Sequence, residues 1–318
     1  MNLIFLGSDR FAVPALKSIR HSAHSILCVV TQPDRKAGRG MNLIPTPVKQ
    51  LSLEFNLPLY QTGDINSRDS LEFLKSLHPD LLCVVAFGQI LSQSVLEIPQ
   101  IFCLNLHASL LPKYRGAAPI NWALIRGENQ TGVSIIKMVK KLDAGPIILQ
   151  RSLDIKDNDD TQTLEDKLSN LGADLVLEAL DLIQAKKFNL TIQDESKKSL
   201  APKLKKIDGL IDWEKSAQEI ANLTRGCAGW PGAFIYFRGK ILKIHRVSLQ
   251  AKYSEANEGT VGSPGEILEI SKEGIVVATG NGNLLIEELQ VEGKKRINAS
   301  EFISGYKISV GEILNKEK

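Results

Sequence analysis

From Met1 to Ala185, short apolar runs alternate with helical patterns. Asn2–Leu6, Ser25–Thr31, Leu81–Ala86 and Ile101–Leu106 are apolar runs bounded by turn residues, and they predict strands. Between them, Phe11–Arg20, Ser67–Ser76 and Ala118–Arg126 carry a helical period. Continuous apolar strands separated by helices imply an α/β fold, with a mostly parallel sheet covered on both faces. Val133–Met138 and Pro146–Ile155, joined by a short turn, predict an antiparallel extension of that sheet. Thr161–Gln184 sets Leu164, Leu168, Leu171, Leu175 and Leu182 along one side of a long helix.

After Lys186 the texture changes. Phe188–Lys206 is polar and lysine-rich, which predicts a linker over residues 188–206 between a first domain, 1–187, and a second, 207–318. Asp212–Arg225 predicts one helix. Ala233–Phe237, Ile241–Val247, Gly265–Ile270, Gly274–Ala278 and Leu284–Val291 are short strands punctuated by glycine, the pattern of a small β-barrel or sandwich. One segment breaks the early pattern: Gln32–Lys49 has no apolar period and reads as a long basic loop, of the kind that tends to be functional.

Composition narrows the class. A chain of 318 residues, 43% hydrophobic, is long for one core and suits two domains. No apolar run approaches the roughly 18 residues of a membrane span, and Met1–Gly7 reads as a strand rather than a secretory leader. A cytoplasmic protein without a membrane anchor is expected. Cys28, Cys83, Cys103 and Cys227 lie far apart with no CxxC pair, which predicts buried free thiols. His21 and His24 have a metal-like spacing, yet no Cys or acidic cluster stands near them; they are expected in solvent, and no metal site is expected. The net charge of +3 says little, but its distribution says more. Lys186–Lys206 holds seven lysines against Asp194 and Glu195, a balance of +5, and Asp34–Lys49 holds four cations against Asp34, a balance of +3. Such runs are ordinarily solvated.

The densest chemistry is Asn105-Leu106-His107-Ala108-Ser109-Leu110-Leu111-Pro112-Lys113-Tyr114-Arg115-Gly116, at the carboxyl end of a predicted strand, where open α/β sheets bind ligands. Asn105 and His107, two apart, can share a face. A carboxamide can donate to a carbonyl oxygen that is becoming negative, and an imidazole can exchange a proton with an attacking amine. Asp143, in Lys141-Leu142-Asp143-Ala144-Gly145, follows one helix and one strand later and could return to the same edge, where a carboxylate would orient the imidazole. Each residue alone has an ordinary use as a turn or cap. Ser109 has no Gly-x-Ser-x-Gly elbow, and Leu6-Gly7-Ser8-Asp9-Arg10-Phe11 lacks Gly-x-Gly-x-x-Gly.

At these residues the chain resembles the folate-dependent formyltransferases, whose signature matches Asn105, His107, Ser109-Leu110-Leu111-Pro112 and Asp143. The resemblance implies a Rossmann-like catalytic domain, a 10-formyltetrahydrofolate co-substrate, and an Asn–His–Asp catalytic set. It implies folate contacts at Ser109, Leu110, Leu111 and Pro112, at Phe87, Gly88, Ile90 and Leu91, and at Val139. Gln32–Gly40 and Pro45–Lys49 resemble the inserted loop of members that formylate initiator methionyl-tRNA in translation initiation, where an arginine matching Arg39 matters most. The implied tRNA contacts are Arg35, Lys36, Arg39 and Lys49 in the loop, and Lys203, Lys205 and Lys206 in the linker. Further matches at Arg115–Pro119, Ala201–Lys203, Ile211–Trp213 and Trp230–Gly232 extend the resemblance over nearly the whole chain and imply an OB-like, tRNA-binding C-terminal domain. Asn121–Lys141 also resembles the formyltransferases of UDP amino sugars, which lack the basic loop; they are the alternative, and a non-catalytic RNA-binding protein is a third reading. Nothing demands a dimer, and a monomer is expected.

Overall fold

The computed structural model describes residues 1–37, 42–250 and 262–314. The chain forms two compact units. The first comprises Met1–Pro119, Gln130–Ile155 and Leu164–Pro202; the second comprises Ile120–Asn129, Lys156–Thr163 and Lys203–Lys318.

In the first unit the elements run β1 (Asn2–Gly7), α1 (Val13–Arg20), β2 (Ser25–Thr31), β3 (Arg35–Ala37), β4 (Asn42–Ile44), α2 (Pro47–Glu54), β5 (Leu59–Gln61), α3 (Arg68–Ser76), β6 (Leu81–Val85), α4 (Gln93–Leu96) and β7 (Phe102–His107). Then α5 (Pro119–Ile125) begins, and β8 (Gln130–Lys137), β9 (Ile147–Asp154) and α6 (Thr161–Gln184) follow. The sheet order is β5-β2-β1-β6-β7-β8-β9. Strands β5 to β7 are parallel, and β8 and β9 are antiparallel, as the apolar pattern predicts. The order reverses direction between β1 and β6, the kind of switch point outside whose strand carboxyl ends open α/β sheets bind ligands.

Alternation along the strands sorts the side chains. Ile4, Leu6, Leu82, Val84 and Cys103 share one core cluster with Phe87, Leu91 and Val95. Leu106 points to the other face, against Gly172 of α6; a Cβ there would come within 2.6 Å of the Leu106 side chain, so only glycine lets the helix lie so close. Asn105 and His107 therefore emerge on the face of Cys103.

The segment Gln32–Lys49 is more structured than its lack of period suggests. β3 and β4 pair as an antiparallel hairpin, and α2 starts at Pro47 with Thr46 as its cap, the Thr46 hydroxyl accepting from the Lys49 amide at 3.1 Å. His24 also departs from expectation. It is buried, with Nε2 3.2 Å from Asp181, and burial pulls its pKa down. The four cysteines are free and buried; burial pushes Cys28 up to about 11 and Cys83, Cys103 and Cys227 up to about 12.

The second unit is built on β10 (Ala233–Phe237), β11 (Lys240–Gln250), β12 (Ile267–Ile270), β13 (Ile275–Ala278), β14 (Asn283–Val291) and β15 (Ile297–Asn298), an antiparallel sheet in the order β10-β11-β14-β13-β12 with β15 on β14. Its core joins Ile235, Leu242, Ile244, Ile275, Leu284 and Ile286 to Ile220 of α7 (Ala217–Gly226) and Phe302 of α8 (Ala299–Tyr306). The helix expected from Asp212 starts only at Ala217. Ser216 and Glu219 form a capping box there, which fixes the start, and Ile211 and Trp213 enter the core ahead of the helix.

Candidate active site

His107 ends β7 and is almost wholly buried. Its Nε2 lies 2.9 Å from the carbonyl oxygen of Tyr114. A carbonyl only accepts, so Nε2 carries a proton and Nδ1 is the nitrogen left to take one up. Nδ1 stands 3.7 Å from Asp143 Oδ2. That is too long for a direct hydrogen bond but places the carboxylate beside the ring. Asp143 sits in a left-handed turn, φ +49°, a conformation aspartate tolerates better than most residues. Asn105, two residues before His107 on the same face, is half-buried; among the described residues its carboxamide has no hydrogen-bonding partner. A polar group kept near the surface without a partner is available to a ligand.

The loop after β7 is held from two sides. The Ser109 hydroxyl donates to Lys113 O at 2.6 Å, and Leu111–Pro112 is a cis peptide. From the sheet, the Leu111 amide donates to Ser134 Oγ at 3.1 Å, and Gln150 Nε2 donates to Leu111 O at 2.9 Å. From the segment after α6, the Tyr114 amide donates to Ser199 Oγ at 2.9 Å, the Arg115 amide to Ser199 O at 2.9 Å, and the Ala201 amide to Arg115 O at 2.8 Å. Residues 188–202, expected as part of a linker, are thus laced into the first unit.

Gln193 lies in this segment, 5% exposed. Its Oε1 accepts from Arg115 Nε at 3.0 Å and Nη2 at 2.7 Å, and its Nε2 donates to the carbonyls of Asp143 at 2.8 Å and Gly145 at 2.7 Å. Arg115, also buried, reaches Glu195 at 2.9 Å, and Glu195 meets Lys141 at 3.0 Å. The lysine and the guanidinium hold the Glu195 carboxyl at about 2. Gln193 gave no sign of this in a lysine-rich stretch without period; its only signal is the contradiction of a buried glutamine inside a polar run.

The residues implied as folate contacts divide by burial. Ser109 and Leu111 are buried, and Leu111 packs with Ile136 and Ile147. The Phe87 and Leu91 side chains belong to the core cluster, so only their backbones can meet a ligand. Leu110 and Pro112 are half-buried; Gly88, Ile90 and Val139 are exposed, Ile90 at 76%, and offer apolar and backbone surface to a flat ring. Among the described residues no group of three or more His, Cys, Asp or Glu is arranged to hold a metal ion, and no helix is long and apolar enough to cross a membrane.

The basic residues lie in both units. On the hairpin, Arg35 and Lys36 are exposed; Arg35 hydrogen-bonds Gln32, and Gln32 Nε2 donates to Phe87 O at 2.7 Å. Lys49 pairs with Asp34 at 2.8 Å, and this pair, with a hydrogen bond from Gln61, holds the Asp34 carboxyl below the usual carboxylate range. Arg39 lies outside the described residues. Lys203, Lys205 and Lys206 open the final stretch of the second unit, and all three are exposed.

The formyl transferase profile matches residues 1–180, and the profile of the formyl transferase C-terminal domain matches 203–307. The chain belongs to the formyltransferase family. Two formyltransferases similar to it are methionyl-tRNA formyltransferases. The one from Geobacter sulfurreducens is 45% identical over 98% of this chain and 96% of its own length. The one from Geotalea uraniireducens is 46% identical over 100% and 99%. Among solved structures, HypX from Aquifex aeolicus in complex with tetrahydrofolic acid shares the formyltransferase fold, with a TM-score of 0.63 and 18% identity over 97% of this chain and 48% of its own.

Proposed function

We propose that this chain transfers the formyl group of 10-formyltetrahydrofolate to the amino group of methionyl-tRNA for translation initiation, with Asn105, His107 and Asp143 as its catalytic groups. The observation that carries the chemistry is the approach of His107 Nδ1 to Asp143, far apart in sequence, at the carboxyl end of β7, two residues after Asn105, whose amide has no partner among the described residues. When the formyl carbon is bonded to both nitrogens, its oxygen is negative. Asn105 donates to that oxygen, a contribution typically worth about 10²–10³-fold in rate. His107 Nδ1 takes up a proton from the attacking amine while Tyr114 O fixes the ring through Nε2, and Nδ1 returns that proton to the folate nitrogen as the bond from this nitrogen to the formyl carbon breaks and tetrahydrofolate leaves. Asp143 stabilises the imidazolium so formed and holds its orientation. The folate rests on the backbone of Phe87–Leu91, on Val139 and on the Ser109–Pro112 loop.

The acceptor follows from the full-length likeness to methionyl-tRNA formyltransferases and from the basic hairpin. Arg35, Lys36 and Arg39, with Lys203, Lys205 and Lys206, meet phosphates of the acceptor stem, which position the tRNA without reading bases. Lys49 contributes through Asp34, by fixing the base of the hairpin. The enzyme works in the cytoplasm, as a monomer. The deciding assay gives the purified protein 10-formyltetrahydrofolate with either charged initiator tRNA or a nucleotide-linked amino sugar. Formyl-methionyl-tRNA is the expected product; formylation of the sugar alone would select the alternative acceptor, and tRNA binding without transfer would remove the enzyme reading. Arg39→Ala should raise the KM for tRNA far more than that for folate.

A further inference from the structure

We infer that Gln193 is a positioning residue: it holds the loop bearing Asp143 in the geometry that brings the carboxylate to His107. This rests on the reading of Asp143 as a catalytic group. The loop from Lys141 to Gly145 closes on itself through the Ala144 amide, which donates to the Lys141 carbonyl at 3.2 Å, and is otherwise tied down from outside. Asp143 is a non-glycine residue in the left-handed region, and Lys141 and Leu142 are exposed. Two of its carbonyls, those of Asp143 and Gly145, converge on one donor group, the Gln193 amide, at 2.8 and 2.7 Å. The other end of the same carboxamide is fixed by two N–H groups of Arg115.

A planar amide whose oxygen is gripped by a guanidinium cannot rotate, so its N–H pair is aimed at the two carbonyls. No other side chain of this length supplies both halves: a carboxylate accepts only, and an apolar chain does neither. Arg115 belongs to the loop that follows His107, through Tyr114, whose carbonyl holds the imidazole. Gln193 thus ties Arg115, the chain neighbour of the residue that sets the His107 ring, to the turn that carries Asp143, and it does so from a third segment of chain. The backbone bridge between Ile147 and Thr191, 2.8 Å in each direction, brings that segment to the sheet two residues earlier. Glu195 adds a second tie from the same segment, joining Arg115 to Lys141 at the far end of the turn. A displacement of about 1 Å at a reacting group costs on the order of 10²-fold in rate, and removing Gln193 frees the turn on which the 3.7 Å approach depends.

The test uses the full chain and four variants: Gln193→Met, Gln193→Glu, Asp143→Ala, and Asp143→Ala combined with Gln193→Met. Gln193→Met removes both halves of the interaction. Gln193→Glu keeps the length and the partnership with Arg115 but turns an acceptor toward two carbonyls, and it serves if the methionine variant does not fold. Expected is a fall in kcat of roughly 10–100-fold in either Gln193 variant, with KM for methionyl-tRNA and for 10-formyltetrahydrofolate within about threefold of wild type and thermal unfolding still cooperative above the assay temperature. Added to Asp143→Ala, Gln193→Met should cost less than about twofold more, because it acts through the missing carboxylate. Wild-type kcat in a folded Gln193 variant, or losses that multiply in the double variant, would overturn the inference while leaving Asp143 in its role. Full turnover in Asp143→Ala alone would instead remove Asp143 from the chemistry, and the inference with it.

Discussion

The backbone amide of Gly116 donates to Asp143 Oδ2 at 2.9 Å, and that same oxygen is the one 3.7 Å from His107 Nδ1. The carboxylate is therefore pinned by a backbone donor from the loop that follows His107, and the approach of the two side chains depends on the path of the chain at Gly116. That path is special. Gly116 has φ +128°, and a Cβ there would come 2.5 Å from Ala201 O.

Gly116→Ala should accordingly lower stability by about 1–3 kcal/mol and reduce kcat in the same variant. Thermal unfolding and steady-state kinetics read the two effects. A variant with unchanged melting temperature and turnover would show that the loop has another way to meet Asp143.

His107→Ala and Asn105→Ala remove different parts of the chemistry. The first should cost about 10²–10⁴-fold in kcat and the second about 10²–10³-fold, with KM for both substrates little changed, since each group acts most strongly as charge develops. An effect confined to KM would reassign these residues to ground-state binding.

Glu195 gives a pH signature. Lys141 and Arg115 depress its folded-state pKa to about 2 from an ordinary value of 4.5. A depressed carboxyl stabilises the fold fully above its unfolded value, and the contribution is lost as pH falls from 4.5 toward 2. The gap in urea midpoint between wild type and Glu195→Gln should be widest at neutral pH and narrow steadily through that acid window. A gap that stays constant from neutral pH down to about pH 3 would mean the ion pairs contribute nothing to stability.

Lys205→Ala should weaken tRNA binding at low salt and flatten the dependence of log affinity on log salt by about 0.9 for each phosphate left without its cation. Titrations at a series of salt concentrations measure the slope. An unchanged slope would remove Lys205 from the nucleic-acid surface.

In the second unit, Phe302 is buried with Tyr306 stacked on it, centroids 4.5 Å apart, and Phe237 tilted against it at 5.5 Å. Phe302→Ala should cost about 3–5 kcal/mol of stability. Denaturant unfolding gives the value directly.

The elements easiest to read from sequence were those with an uninterrupted period. β2, α6 and β10 occupy the predicted residues because each presents a continuous apolar run or a single stripe. Elsewhere local chemistry outranks period. The helix expected over Asp212–Arg225 starts later, because the capping box at Ser216 and Glu219 sets the start of α7. The Thr46-Pro47 pair that launches α2 was legible as cap and first-turn proline, yet lay inside a stretch read as loop. At the candidate site, Asn105, His107 and Asp143 stand out in the sequence through the family signature they match, since each alone has an ordinary use as a turn or cap residue. Gln193 does not, because a glutamine between Ile192 and Asp194 carries no signal until the chain is folded and its burial is seen. Tyr114 was equally hidden, since it acts through its carbonyl, which every residue possesses.

The second compact unit draws on three separate stretches of chain, and this has a consequence for how it can be inherited. Gly226 O at the end of α7 accepts from Asn121 Nδ2 at 2.8 Å and from Thr161 Oγ1 at 2.9 Å, both contributed from excursions that interrupt the first unit. A fragment beginning at Lys203 leaves those donors behind. The C-terminal portion is therefore no portable cassette: a chimera exchanging it between relatives must carry residues 120–129 and 156–163 along, and recombination at a single point near residue 203 should yield chains that express poorly.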